Sequence, residues 1–388
     1  MHKYDIAIIG LGPAGLSLIH FLMEESFNKG IVAFEAKKHA GLNNHCAGLV
    51  SSTFIRLMWP FTRDIIINSF KGFYVTTLSS NKSLHVKLNN KAYVINRVEY
   101  ERKIFEKIKD SITYRLREPV IDIWKNKIIL RKNRSVEAKT IIISEGSTHK
   151  LRTKILGRGG KDRVYGIQED VKAKPEYIND FTVIFSDKYA KEFFGWLIPL
   201  STNKARIGIA GNKVSLKMLR LFEKHIVKKK LITEIVDRSR PFGGSILIKP
   251  PNKIDHVNSL IFLGDSGYHV KPLTGGGLFI LTLFSKALAK ALASVHNHEE
   301  ALNLYYKETS MIRKRLHVQN IISRIIHKLS ERDKAMIIEA LYQNEIFLKD
   351  YDFHEVSLLS LLANSNILLK ILASSPSIIK EFLKSRAQ

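Results

Sequence analysis

The sequence predicts an α/β fold in three parts: a Rossmann-like dinucleotide-binding domain, an antiparallel β-sheet domain and a C-terminal helical region. Three observations predict it. Residues 5–35 read as strand, glycine turn, helix, strand and acid; a second strand–glycine–helix passage occupies 260–293; and the last 90 or so residues take up helical apolar spacing.

The run from Asp5 to Ile9 is almost continuously apolar, as a parallel strand covered on both faces requires. Gly10-Leu11-Gly12-Pro13-Ala14-Gly15 follows at once, then a helical run from Leu16 to Met23, then a short strand Ile31-Val32-Ala33-Phe34 ending at Glu35. In such a unit Gly10 makes the tight turn, Gly12 lets the backbone approach a pyrophosphate, and Gly15 lets helix and strand pack closely. The helix N-terminus offers N–H groups and a positive dipole end to phosphates. Glu35 would accept both hydroxyls of an adenosine ribose and repel a 2′-phosphate. Pro13-Ala14 inside the turn leans towards FAD over NAD.

Leu260-Ile261-Phe262-Leu263 is a second buried-strand run, followed by Gly264-Asp265-Ser266-Gly267 and then Val270 to Gly277 before a long helix from Leu278. The domain boundaries expected are 1–160 for the first part of the dinucleotide-binding domain, 161–245 for the β-sheet domain with an amphipathic helix at Leu216–Lys229, 246–296 for the return segment, and 297–388 for the helical region. Ile321, Ile322, Ile325 and Ile326 illustrate the spacing of the last part.

Composition narrows the class. With 388 residues and 45% hydrophobic content, the chain buries a large core and is not globally disordered. A single cysteine, Cys46, excludes a disulfide framework and a cysteine-cluster metal site, and no metal is expected. Neither a signal peptide nor a clean apolar span of about 20 residues is apparent. Lys286 and Lys290 break Leu278–Ala293, and Asn364, Asn366 and Lys370 break Val356–Ala373. The location expected is cytoplasmic, peripheral on the cytoplasmic membrane face. The formal net charge of +26 suits nucleic acid or an anionic membrane, but no recognisable nucleic-acid module accompanies it, so specific nucleic-acid binding is not expected.

The segment Gly264-Asp265 … Pro272 … Gly276-Gly277 resembles the FAD-dependent oxidoreductases of the para-hydroxybenzoate hydroxylase type. Further segments are similar to the geranylgeranyl reductase family within them: Cys46-Ala47-Gly48-Leu49-Val50-Ser51; Val94 to Arg102 around Arg97; Phe194-Gly195-Trp196-Leu197-Ile198-Pro199 with Ala205-Arg206-Ile207-Gly208-Ile209; Gly243-Gly244 leading to Lys249-Pro250-Pro251; and the tail at Leu358–Leu362 and Pro376–Lys380. The chain departs from the pattern at Glu145-Gly146-Ser147-Thr148, where the family's acid is Asp, with Arg152 as the basic partner. It also departs at Phe194, Ile198 and Ser266-Gly267.

The resemblance implies a bound FAD. Its contacts would be Gly10, Gly12, Pro13, Ala14, Gly15, Glu35, Ala36, His45, Cys46, Gly48, Arg97, Val120, Gly264, Asp265, Gly276, Gly277 and Leu278. Asp265 would bond a ribityl hydroxyl, and the N–H groups of Gly277 and Leu278 would face the flavin N1–C2 carbonyl. The activity implied is hydrogenation of isolated C=C bonds in the geranylgeranyl chains of membrane ether lipids. Phe194, Trp196 and Pro199 would wall an apolar tunnel, although Trp196 equally suits a sheet core. Cys46 is the candidate catalytic residue as a proton donor, or else a small buried side chain. His45 and His269 face either cofactor or solvent. The electron donor implied is a ferredoxin-like protein or NAD(P)H docking transiently, since Gly157-Arg158-Gly159-Gly160 lacks the strand and helix of a second nucleotide unit. A flavin monooxygenase or halogenase on the same fold, and a non-catalytic flavin-binding lipid-associated protein, are the alternatives.

Overall fold

The computed structural model describes residues 3–41, 45–157, 162–295 and 297–355. It divides into two compact units, each assembled from three stretches of chain. Unit 1 comprises 1–44, 97–162 and 247–317; unit 2 comprises 45–96, 163–246 and 318–388.

Unit 1 is built on five parallel strands. Across the sheet they run Leu260–Phe262, Ser135–Ile143, Lys3–Ile9, Ile31–Phe34 and Thr113–Arg115. Numbered along the chain and read from the other edge, this is the order 3-2-1-4-5 of a doubly wound dinucleotide-binding sheet. His256–Val257 adds one antiparallel strand beside Leu260–Phe262, and the hairpin Val120–Trp124/Lys127–Leu130 pairs onto Ser135–Glu137. Alternation along the strands buries both faces. Ala7, Ile9, Val32, Phe34, Ile141 and Ile143 pack with Ile128 and Leu130 of the hairpin, while Ile8 takes the opposite face beneath helix Pro13–Glu24. That helix packs on helices Arg97–Ile108 and Leu278–Ser294. The sheet reverses direction of growth between Lys3–Ile9 and Ser135–Ile143, the place where such folds bind ligands.

Unit 2 holds a ten-stranded mixed sheet. Its main path runs Asp237–Arg238, Arg163–Lys172, Lys204–Gly211, Gly195–Ser201, Asp180–Phe185, Ile66–Thr77, Ser83–Ile95 and Ile346–Leu348, with Phe242–Leu247 and Leu49–Ser51 pairing beside the path. Helix Leu216–Lys228, capped by Ser215, buries Leu219, Phe222 and Ile226 against Ile184, Leu197, Ile207 and Ile209. Helix Glu331–Leu341 opens with a capping box between Ser330 and Asp333.

Three expectations are corrected. Residues 45–96, expected in the first part of the dinucleotide-binding domain, belong to unit 2, because Ile66–Thr77 pairs with Asp180–Phe185 and Leu49–Ser51 with Ser83–Ile95. The β-sheet layer is mixed, because that pairing with Asp180–Phe185 is parallel. The region after 297 divides between the units and is not purely helical. Helices His298–Lys328 and Glu331–Leu341 precede strand Ile346–Leu348, which pairs with Val86–Leu88. The tail motifs at 358–362 and 376–380, and the broken apolar stretch 356–373, lie outside the described residues. Among the described residues no helix is long and apolar enough to cross a membrane.

Candidate functional site

In unit 1 the residues expected to hold a dinucleotide converge at the C-terminal ends of the two central strands. Gly10 adopts φ +106°, and a Cβ there would lie 2.4 Å from the Ser144 carbonyl oxygen. The turn is locked from the next strand, since Ser144 Oγ donates to the carbonyls of Ile9 and Gly10 at 3.1 and 2.9 Å. Gly15 presses on the Gly10 carbonyl, whereas a Cβ on Gly12 would meet nothing within 4 Å. Gly12 is also the N-cap of helix Pro13–Glu24, with Pro13 in its first turn and no side chain capping it. An open backbone beside an uncapped helix N-terminus fits a pyrophosphate.

Glu35 sits beside this loop. Its two carboxylate oxygens accept the N–H groups of Leu11, at 2.9 Å, and Lys37, at 3.0 Å. The acid thus ties the glycine loop to the second strand, and each oxygen keeps a lone pair able to accept a further hydrogen bond. Ala36 is exposed next to it. Val120 lies two residues beyond Glu118, whose N–H donates to the Glu35 carbonyl at 3.0 Å. Arg97 opens helix Arg97–Ile108, buried, with Nη2 donating to Glu101 Oε1 at 2.5 Å. Burial pushes the Glu101 carboxyl up, against the pull of Arg97.

The late glycine segment closes the same cradle. Gly264 has φ +67°, and a Cβ on it would come 2.6 Å from Ala14 Cβ, so the two motifs touch. Asp265 is half-buried in the 3₁₀ turn Gly264–Gly267. Lys271 to Gly276 form a closed loop, with Lys271 N–H donating to the Gly276 carbonyl at 2.9 Å and Gly275 N–H to that of Lys271 at 2.8 Å. Gly277 is the N-cap of the 17-residue helix beginning at Leu278, again with no side-chain cap.

Two readings change here. Glu145 and Arg152 do not meet as carboxylate and guanidinium. Glu145 accepts the N–H groups of Leu151 and Arg152 at 2.9 and 2.8 Å, capping helix Lys150–Leu156, while Arg152 Nη1 donates to the Ser266 carbonyl. His269 faces neither solvent nor an open cleft; it is fully buried against Asp255 and Arg313.

Unit 2 carries the thiol. Cys46 is half-buried in the loop leading to strand Leu49–Ser51, and Gly48 N–H turns back to its Sγ at 3.4 Å. That turn needs glycine: Gly48 has φ +83°, and a Cβ would lie 2.7 Å from the Ile95 carbonyl oxygen. Two side chains hold the loop from strands Arg163–Lys172 and Lys204–Gly211. Arg206, 5% exposed, forms a two-point pair with Asp170 at 2.7 and 3.0 Å and donates Nη1 to the Ala47 carbonyl at 2.8 Å. Gln168 donates Nε2 to the His45 carbonyl at 3.1 Å while its Oε1 accepts the Trp196 indole N–H at 3.1 Å. Gln168 therefore joins Trp196 to the thiol loop, and the His45 ring itself lies over Gly244. Neither Gln168 nor Arg206 was singled out in the sequence as a functional residue.

Trp196 and Pro199 are buried in strand Gly195–Ser201, and Phe194 just before it is half-buried. The indole lies over Gly208, where a Cβ would come within 2.3 Å of it. Phe194 stacks on Phe193 and meets Trp196 edge-on, so both belong to an aromatic cluster with Phe185 and His327. No group of His, Cys, Asp or Glu among the described residues is arranged to hold a metal.

The sheet order, the glycine turn and the late Gly-Asp segment define the chain as an enzyme of the flavin-dependent oxidoreductase class, and the cradle fits FAD. No protein-family profile matches the chain. It is similar to an uncharacterized protein of Methanocaldococcus jannaschii, 27% identical over 86% of this chain and 89% of that one. It is also similar to the digeranylgeranylglycerophospholipid reductase of Methanococcus vannielii, 24% identical over 98% of this chain and 97% of the relative. A geranylgeranyl bacteriochlorophyll reductase-like structure from Thermoplasma acidophilum shares the fold, with a TM-score of 0.79 at 15% identity, covering 99% of this chain and all of that one. Over nearly its whole length the chain is thus similar to proteins named digeranylgeranylglycerophospholipid reductases, at 22–24% identity.

Proposed function

We propose that this protein reduces isolated C=C bonds in the geranylgeranyl chains of membrane ether glycerophospholipids. The observation that carries the reading is end-to-end similarity to digeranylgeranylglycerophospholipid reductases, with the Cys46 loop held by side-chain bonds from two neighbouring strands.

The residues of the cradle would hold FAD, which when bound and reduced would supply hydride for one alkene carbon. The rest falls to the chain. The Gly12–Pro13 helix start holds the pyrophosphate, Glu35 the adenosine ribose, and Asp265 the ribityl chain. Arg97, Val120, Gly276, Gly277 and Leu278 complete the contacts. An isolated alkene offers no polar handle, so placement of the chain and of one proton must do the catalytic work. Cys46 Sγ–H is the proton-bearing group for the second carbon, and the Gly48 N–H that meets Sγ steadies the charge left behind. Gln168 and Arg206 fix where that thiol stands. Phe194, Trp196 and Pro199 supply apolar surface for the prenyl chain.

The net charge of +26 supports docking on the anionic cytoplasmic face of a membrane and reduction by an acidic ferredoxin-like donor, with NAD(P)H as the other source of electrons. The test is anaerobic incubation of dithionite-reduced holoprotein with digeranylgeranylglycerophospholipid, read by mass spectrometry. Gain of two hydrogen atoms per double bond is expected. Flavin reoxidation only on admission of oxygen, with no saturation of the lipid, would overturn the reading in favour of oxygenase chemistry. Flotation with anionic vesicles at physiological salt tests the docking, and a protein left at the bottom of the gradient rejects it.

A further inference from the structure

The Gly264–Gly267 turn is gripped by three basic side chains that no motif assigned to it. Gly264 N–H donates to His269 Nδ1 at 3.2 Å, His149 Nε2–H donates to the Asp265 carbonyl at 2.9 Å, and Arg152 Nη1 donates to the Ser266 carbonyl at 2.5 Å. Three consecutive residues thus each give one backbone group to one side chain. All three side chains are buried: His149 is 2% exposed, Arg152 5% and His269 0%.

Each grip is itself fixed. For His269 Nδ1 to accept, the ring proton must sit on Nε2, and there it donates to Asp255 Oδ2 at 2.8 Å. Asp255 is held in turn by Arg313 at 2.7 Å, Tyr306 at 2.6 Å and Tyr305 at 3.2 Å, all from helix His298–Lys328. The imidazole is sandwiched on Phe284, 3.8 Å between centroids and nearly parallel. Burial pushes its pKa down to about 4 against the pull of Asp255, so it is neutral and keeps one tautomer. Burial pushes the Asp255 carboxyl up, yet the His269 hydrogen bond and the Arg313 charge more than offset this and keep it ionised. Arg152 lies between the rings of Phe262 and Tyr268, at 4.8 and 4.9 Å. His149 takes a left-handed backbone, φ +54°, and meets Tyr268 edge-on.

The turn's own backbone bonds, from Tyr268 N–H to the Asp265 carbonyl at 3.0 Å and from His269 N–H to the Gly264 carbonyl at 2.9 Å, close it without fixing its direction. What the three grips add is a fixed direction for Asp265, the one side chain of the turn that is neither glycine nor fully buried. We propose that His149, Arg152 and His269, the last oriented by Asp255, are positioning residues that preset the Gly264–Ser266 backbone so that the Asp265 carboxylate is already aimed at the ribityl hydroxyls when FAD arrives. The proposal rests on the flavin reading above. Affinity is gained because the turn loses no freedom on binding.

The test uses flavin-stripped full-length protein titrated with FAD, followed by quenching of flavin fluorescence, with circular dichroism of the apoprotein as the folding control. His269→Leu should weaken FAD about tenfold, one neutral hydrogen bond's worth of positioning. His269→Asn, which keeps an acceptor at the Nδ1 position, should restore most of it. His149→Ala and His149→Gln form a second pair, Gln keeping a donor at the Nε2 position. In an Asp265→Ala background either loss should shrink to less than about threefold, because the grips act through that carboxylate. Losses that simply add in the double variants, or Asn and Gln variants as weak as Leu and Ala, overturn the proposal. Should His269→Leu fail to fold, the His149 cycle decides. Wild-type protein that takes up no FAD refutes the flavin reading and the proposal with it, whereas uptake with additive losses refutes the proposal alone.

Discussion

Replacing Arg206 by methionine removes the cation that ties the Cys46 loop to the sheet. The Arg206 side chain is 6% exposed and gives two bonds to Asp170 and one to the Ala47 carbonyl; the Asp170 side chain is 17% exposed. Breaking a buried pair from one side costs about 3–5 kcal/mol. Water reaching Asp170 favours the lower end, and the abandoned Ala47 carbonyl adds about 1 kcal/mol. The expected loss is therefore about 4 kcal/mol. Guanidinium unfolding followed at Trp196 measures it, in a background where the exposed Trp59 and Trp124 are phenylalanine. Asp170→Leu combined with Arg206→Met should recover much of the loss, since no lone buried charge remains. Because Cys46 is the single cysteine, its rate of reaction with a disulfide reagent reports the loop directly and should rise about tenfold, the local opening cost falling by that one hydrogen bond. A loss below about 1 kcal/mol with an unchanged thiol rate, or a double variant as unstable as the two single losses added together, refutes the reasoning.

Gly208→Ala places a Cβ against the indole, so the ring must shift and its bond to Gln168 loosen. A loss of about 1–3 kcal/mol and a red-shifted Trp196 emission are expected. A group whose folded pKa lies below its unfolded value binds fewer protons folded than unfolded between the two. His269, lowered by burial to about 4 from 6.5, faces Asp255, Arg313 and Arg152, and it therefore makes stability fall as pH drops from 6.5 to 4. The fall should be on the order of 3 kcal/mol; denaturation midpoints across that range measure it, and His269→Asn should flatten the curve. Cys46→Ser should lower anaerobic lipid saturation by about a hundredfold, the smallest contribution usual for a positioned proton donor, while the bound-flavin spectrum is unchanged; equal turnover by Ser would make the thiol a structural group.

The cradle was legible because its chemistry is local. Strand, glycine turn, helix and acid follow one another between Asp5 and Glu35, so spacing alone carries the signal. Gly264-Asp265 and the helix from Leu278 were legible as a strand–glycine–helix passage, and their cofactor role came from resemblance to flavin oxidoreductases. What escaped the sequence is what depends on distant partners. Gln168 and Arg206 look like ordinary strand residues until the fold brings the loop at 45–48 across them. His269 read as a residue open to cofactor or solvent because its partner Asp255 and the helix carrying Arg313 are separate in the chain. Residues 45–96 joined unit 2 through sheet pairing with Asp180–Phe185, a long-range choice that no local pattern encodes. Glu145 kept the family's acid-and-glycine look but serves as a helix cap.

Ala14 and Gly264 come together from distant parts of the chain, and helix Pro13–Glu24 packs most extensively on helix Leu278–Ser294, where Ser285 Oγ reaches the Ala14 carbonyl at 3.2 Å. During synthesis the first half of the cradle thus leaves the ribosome long before the second exists. Leu16, Leu18, Ile19 and Leu22, all buried in the finished protein, have no Leu278–Ser294 helix to pack on until then. Flavin loading is accordingly a late event in biogenesis, and an arrested chain ending before Leu260 would be an apolar, flavin-free client for chaperones rather than a partial enzyme.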